Sequence, residues 1–248
     1  MLSKFFYHYA SPQHFYPLAG RLWPWFALGA AGLGLWGLWL GFFVAPTDFQ
    51  QGEGYRIIFV HVPVSWMSMI IYLAMAFWAL LGLTLNTRLS GMMCRALAPT
   101  GAICAFLSLW TGALWGKPMW GAWWIWDARL TSELVLLLLY LAILVLQQAY
   151  QNQAAGDKLM AILSLVGLLD LPIIHYSVYW WNTLHQGASL MAFAKPAIHA
   201  SMLYPLLMMI IGFFLYAIYM ISLKSRNILL AREYRSKWVQ ALLEENIL

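Results

Sequence analysis

Six long apolar stretches punctuate the chain: Leu22–Val44, His61–Leu83, Ala96–Trp115, Leu130–Gln147, Leu159–Trp180 and Ala200–Leu223. Each approaches or exceeds the roughly 20 residues that an α-helix needs to cross about 30 Å of hydrocarbon, the fourth being the shortest. In lipid the backbone has no water to bond, so a segment of this kind satisfies its polar groups internally by folding as a helix. The pattern predicts an all-α integral membrane protein, a single domain over residues 1–248 built as a bundle of six transmembrane helices. Two short polar links fall around Asn86–Arg95 and Gln151–Lys158. Three longer connections, Pro46–Val60, Gly116–Arg129 and Trp181–His199, carry most of the remaining polar chemistry.

Composition agrees. The chain is 63% hydrophobic and 9% charged, with a mean hydropathy of +0.70, whereas a soluble domain carries about 25% charged residues. The fourteen lysines and arginines are unevenly spread. If both termini are cytoplasmic, ten lie inside (Lys4, Arg21, Arg88, Arg95, Lys158, Lys224, Arg226, Arg232, Arg235 and Lys237) and four outside (Arg56, Lys117, Arg129 and Lys195). The positive-inside bias selects that orientation. It makes the three longer connections outer loops, and it accounts for the net charge of +5 without a nucleic-acid partner. The tail 224–248 reads as a helix continuing from the last span into the cytoplasm. Residues 1–20 lack the compact apolar core and small-residue cleavage site of a signal peptide. Cys94 and Cys104 read as buried small hydrophobes, and no C-x-x-C-H marks covalent haem attachment.

Five of the fifteen tryptophans, Trp115, Trp120, Trp123, Trp124 and Trp126, crowd into the second outer loop, 115–131. Interfacial preference accounts for tryptophans at span ends, such as Trp23, Trp25, Trp180 and Trp181. The density of the loop leaves two readings open: belt plus packing, or a flat indole platform for a large planar ligand. A short interfacial helix would bring Trp120, Trp123 and Trp124 to one face. Of the six histidines, His61, His185 and His199 fall on the same predicted side as this loop; His61 and His185 are the candidate pair, ahead of His175 and His199. Two neutral imidazoles on opposite sides of a porphyrin make a six-coordinate iron. Arg56, Lys117 and Arg129 lie on that side too, as propionate partners or as snorkelling interfacial cations. Asp127 suits the cap of the following helix. Asp170 and His175 fall inside the fifth span, with Pro172 between them as a predicted kink, and ionisable groups there usually face the bundle interior.

The string Trp120-Gly-Ala-Trp123-Trp124-Ile-Trp126-Asp127-Ala-Arg129 resembles the WWD signature of bacterial haem-handling proteins. Phe59-Val60-His61-Val62-Pro63 and Trp180-Trp181-Asn182-Thr183-Leu184-His185-Gln186 resemble the segments that carry that family's two outer histidines. With six spans, the chain is similar in size to the cytochrome c maturation protein C (CcmC) family. The resemblance implies a haem-presenting subunit of the bacterial inner membrane. It would hold haem b non-covalently on the periplasmic side, with His61 and His185 as iron ligands and the WWD tryptophans, Asp127, Arg56 and Arg129 around it. It would deliver that haem to the periplasmic chaperone CcmE, working with CcmD and with the ABC transporter subunits CcmA and CcmB. The chain contains no G-x-x-x-x-G-K-[ST] loop, so ATP hydrolysis would belong to another subunit and this chain is expected to be no enzyme. Two other readings compete. A b-type cytochrome exchanging electrons with quinone would bury paired haem ligands within its spans. A small-molecule permease would use the tryptophans only as interfacial anchors.

Overall fold

The computed structural model describes residues 8, 10–150, 153–181, 183–185 and 198–245. Lys4, Lys195, Asn182 and Gln186, each used in the sequence reading, lie outside them. Helix α1 covers Pro12–Trp39 and continues through a wider π-type turn, Leu40–Val44. A 3-10 turn at Glu53–Ile57 leads into α2, Ile58–Leu85; α3 is Arg88–Trp120 and α4 is Ala128–Ala149. Helix α5, Gln153–Val166, passes through a 3-10 turn at Gly167–Leu169 into α6, Asp170–Trp180. Helix α7 is Ala200–Arg232 and α8 is Lys237–Glu244. There is no β-strand among the described residues, only a single bridge between Asp48 and Gly52.

Six segments are long and apolar enough to cross a membrane: Pro12–Val44, Glu53–Leu85, Arg88–Trp120, Ala128–Ala149, Gln153–Trp180 and Ala200–Arg232. The six-span architecture holds, with longer helices at several ends. Helix α1 starts at Pro12, where a proline in the first turn loses no hydrogen bond. Helix α3 runs to Trp120 and stops at Gly121, whose φ of 78° is open to glycine at little steric cost. Trp115 and Trp120 are therefore helical, and only Gly121–Asp127 is loop; the short interfacial helix expected over Trp120–Trp124 does not form. The fifth span breaks at Gly167–Leu169 because Pro172 gives no N–H to the carbonyl four residues earlier. The tail departs from a straight extension: the chain turns at 233–236 before α8.

Helices α2 and α3 form a tight hairpin across Asn86–Thr87, with Asn86 in the left-handed conformation that ends a helix. Helix α4 packs on α3, α5 and α6 close against α2 and α4, and α1 lies against α7. The interior is mostly apolar, with Met67, Ile71, Met75, Leu136, Ile143, Met160 and Ile174 fully or almost fully buried. Through it runs a polar seam at helical spacing: His61, Ser65, Ser68 and Tyr72 on α2, Ser108 and Thr111 on α3, and Glu133 and Tyr140 on α4, all buried. The Tyr140 hydroxyl donates to the Ser68 carbonyl at 2.8 Å. That approach needs Gly101, since a Cβ there would lie 2.2 Å from the Tyr140 ring.

At the end of the bundle away from the tryptophans, one carboxylate ties three helices. Asp157 on α5 accepts from Arg95 of α3 at 2.9 Å and from both terminal nitrogens of Arg232 of α7, at 2.6 and 2.8 Å. Asp157→Ala leaves two largely buried guanidinium groups without their counter-charge. It is expected to cost on the order of 2 kcal/mol, read as a fall of several degrees in the thermal unfolding midpoint of the detergent-solubilised protein.

Candidate ligand-binding site

His61 stands in the first turn of α2, 9% exposed. Its Nδ1 lies 2.9 Å from the Thr111 hydroxyl on α3. That hydroxyl has one proton, and it donates to the Leu107 carbonyl one turn back, at 2.6 Å. Thr111 therefore accepts from His61, which places the ring proton on Nδ1 and leaves the Nε2 lone pair free. The Trp115 ring, one turn after Thr111 on the same face of α3, packs edge-on against the imidazole with centroids 5.6 Å apart. Its own indole N–H donates to Gln51 at 2.9 Å. Close packing beneath is possible because of Gly112, where a Cβ would sit 3.2 Å from His61 Cε1.

His185 comes from the segment after α6, and one acid secures it to the tryptophan loop. Asp127 caps α4 by accepting from the Leu130 N–H at 2.8 Å, which suits the positive end of that helix. Its second oxygen accepts from the Thr183 hydroxyl. The Thr183 oxygen in turn accepts from the His185 backbone N–H at 3.1 Å. The His185 ring lies 6.3 Å from the His61 ring, centroid to centroid, and 6.3 Å from Trp120. An imidazole nitrogen binds a metal at about 2 Å. With a further ~1 Å from nitrogen to ring centre on each side, two imidazoles flanking one metal stand about 6 Å apart.

The cleft between these rings is walled by Trp115, Trp120, Trp123 and Trp124, with Arg129, Ser65, Ser108 and Glu133 toward the bundle. Its free space is narrow, about 50 Å³. A second hollow of about 210 Å³, lined by Gln50, Gln51 and Met119, shares Trp115, Trp120 and His185 with it. Trp124 lines the cleft, and its buried indole N–H has no hydrogen-bond partner. Trp126 is 79% exposed and meets Trp124 edge-on at 5.3 Å, outside the cleft wall. Arg129 lines the cleft while donating to the Ile174 carbonyl of α6.

Several candidate residues stand elsewhere. Arg56 is engaged with Glu53 and with the Gly41 carbonyl and does not line the cleft. Lys117 donates to the Gly121 carbonyl at 3.0 Å, at the C-terminal end of α3. His175 is exposed and packs edge-on against Tyr176 rather than facing the bundle interior. His199 caps α7, accepting from the Ser201 N–H. Asp170 is buried but away from the cleft, with one oxygen unpartnered. Sequence reasoning passed over Thr111, Ser65, Ser108 and Glu133. Their signal was present: polar residues three and four apart inside apolar spans mark an inward face.

The family model described as "Heme exporter protein C" (CcmC) matches residues 5–240. Heme exporter protein C of Haemophilus influenzae is 45% identical over 243 residues, 96% of this chain and 97% of its own. The Escherichia coli K12 protein of that name is 43% identical over 240 residues, 97% of both chains. A Marchantia polymorpha protein named as a putative ccmC-like mitochondrial protein of cytochrome c biosynthesis is 43% identical over 200 residues, 81% of this chain and 85% of its own. The chain belongs to the heme exporter protein C family. Every residue that walls the cleft falls within the matched span, so this family member builds its site wholly from family sequence.

The tautomer of His61 is directly measurable. Histidine ¹⁵N spectra of the ligand-free protein are expected to show an unprotonated Nε2 on His61. Thr111→Val removes the acceptor, giving a mixed tautomer and a stability loss of about 1–3 kcal/mol from the unsatisfied buried N–H.

Proposed function

We propose that this family member holds haem b, non-covalently and transiently, between His61 and His185, and presents it for cytochrome c maturation. The observation that carries the reading is the 6.3 Å separation of the two imidazoles within a tryptophan-walled cleft. No group of three or more histidine, cysteine or acidic side chains suited to a metal occurs among the described residues. The neighbouring segment 186–197 contains none of those residue types in its sequence. A metal bound here by two imidazoles would bring its other donors with it, as an iron porphyrin does.

The donor set suits such a ligand. His61 offers Nε2 in a tautomer set by Thr111, the outer-shell device that orients metal-bound histidines. Indole faces of Trp120 and Trp123 supply flat apolar contact. The partnerless Trp124 N–H and the Arg129 guanidinium are the donors in the cleft wall for propionate oxygens. Asp127 contributes by holding the His185 segment to the tryptophan loop. The present free space is far smaller than a macrocycle, so loading requires Gly121–Asp127 and the 183–185 segment to part.

The uneven distribution of cations supports both termini in the cytoplasm and the cleft in the periplasm of a bacterial inner membrane. In that setting the ligand is handed to the chaperone CcmE. CcmD and the ABC subunits CcmA and CcmB are the proposed partners, and the ATPase is one of those chains. The role of this chain is positioning rather than catalysis.

Purified protein carrying haem is expected to show a low-spin, six-coordinate spectrum that His61→Ala and His185→Ala each abolish. If both variants keep the native spectrum, the ligand assignment is wrong. Asp127→Ala leaves both histidines in place but frees the His185 segment. It is expected to weaken haem binding by about 10–100-fold in equilibrium titration.

A further inference from the structure

Trp115 is 6% exposed and belongs to the apolar cluster of Tyr55, Phe59, Met202 and Leu206. Its indole N–H donates to the Gln51 side-chain oxygen at 2.9 Å. An indole nitrogen can only donate, so the Gln51 amide has to turn its oxygen toward it. The two partners stand 64 positions apart in the chain, one on α3 and one in the first outer loop.

That loop holds Gln51 in place. One carboxylate oxygen of Asp48 accepts from the backbone N–H groups of Gln50 and Gln51, at 2.9 and 2.8 Å. The Asp48 carbonyl accepts from the Gly52 N–H at 2.9 Å. Gly52 closes the turn with a φ of 58°, a conformation that glycine adopts at little steric cost. From the 3-10 turn that follows, the Tyr55 hydroxyl donates back to the Pro46 carbonyl at 2.7 Å. The backbone of Gln51 is thus set by the turn and its amide by Trp115.

The chain of contacts ends at His61. The bond to Thr111 fixes where Nδ1 lies, but the outer torsion of a histidine has broad wells, so the plane of the ring depends on what flanks it. Trp115 flanks it, with ring centroids 5.6 Å apart and planes at 78°. An indole that loses its buried acceptor turns to find another, because an unmade buried hydrogen bond is costly. The imidazole then loses its wall. Gln51 also lines the second hollow, which His185 borders, so the first outer loop reaches both sides of the site.

We propose that Gln51 is a positioning residue of this site, holding the plane of the His61 imidazole through Trp115. The consequence at iron rests on the haem reading of the cleft: the plane of an axial imidazole decides which iron orbitals it meets, and how firmly the ligand is gripped. The positioning itself is a property of this chain alone.

The test uses the full-length protein in detergent. Without ligand, the His61 ring protons carry a ring-current shift from Trp115, read by NMR with labelled histidine. Gln51→Met removes the acceptor and is expected to diminish that shift and broaden the signals, while the ring proton stays on Nδ1 because Thr111 is untouched. Gln51→Glu keeps an acceptor oxygen and is expected to keep the native signals. Loaded with ferric haem, Gln51→Met is expected to remain low-spin, to spread its g-values in electron paramagnetic resonance, and to bind haem about tenfold more weakly. In Trp115→Phe, which keeps an aromatic flank but has no N–H, adding Gln51→Met is expected to change neither readout further. Native His61 signals in Gln51→Met, loss of them in Gln51→Glu as well, or an undiminished effect of Gln51→Met in Trp115→Phe overturns the proposal. The haem reading fails separately, when His61→Ala and His185→Ala both leave the low-spin spectrum intact in protein with native Gln51; the ligand-free signals still decide whether Gln51 sets the ring.

Discussion

A polar side chain placed in hydrocarbon has to find its partner inside the bundle, and this constraint orders the packing of α2, α3 and α4. His61 pairs with Thr111, Ser65 with Ser108 at 2.6 Å, Ser68 with Glu133, and the Tyr140 hydroxyl reaches the Ser68 carbonyl. Each bond joins two helices, so the seam sets their register more sharply than aliphatic contacts can, because an aliphatic surface tolerates sliding and a hydrogen bond does not. Cleft geometry follows from that register. The His61 ring stands where Thr111 holds it, and Thr111 stands one helical turn from the tryptophan that packs against the same ring.

The second half of the cleft is built differently. No helix carries His185; it sits in the segment after α6, which has a hold on the tryptophan loop. Asp127 provides that hold by serving two elements at once, the N-terminus of α4 and the Thr183–His185 segment. The two halves of the cleft wall are thus positioned by different means, an interhelical seam on one side and a capping acid on the other.

The two ends of the bundle divide their work. Around Asp157, Arg95 and Arg232 bind three helices together through charge. Around His61, buried charge is sparse and aromatic surface plentiful. Arg129 and Glu133 are the ionisable side chains that line the cleft beside the two histidines.

Much of this was legible in the amino-acid order. Six apolar runs specify six spans, because lipid leaves the backbone no other way to satisfy itself. The crowding of Trp115–Trp126 and the motifs around His61 and His185 marked the site before any coordinates. Helix ends were less legible. Trp115 and Trp120 read as loop, yet α3 continues to Gly121, since tryptophan is at home both in an interfacial helix and in a loop. The roles of Arg56 and His175 were beyond periodicity altogether, because a side chain's direction depends on which neighbour it meets: Glu53 and Gly41 for one, Tyr176 for the other. What the sequence determined alone was everything set by the solvent, namely helix, span and the chemical kinds brought to one rim. What only the tertiary structure decided was pairing: which hydroxyl turns His61, which acid ties His185, and how far apart the two rings stand. Those are contacts between residues tens of positions apart, and no local pattern encodes a distance across a bundle.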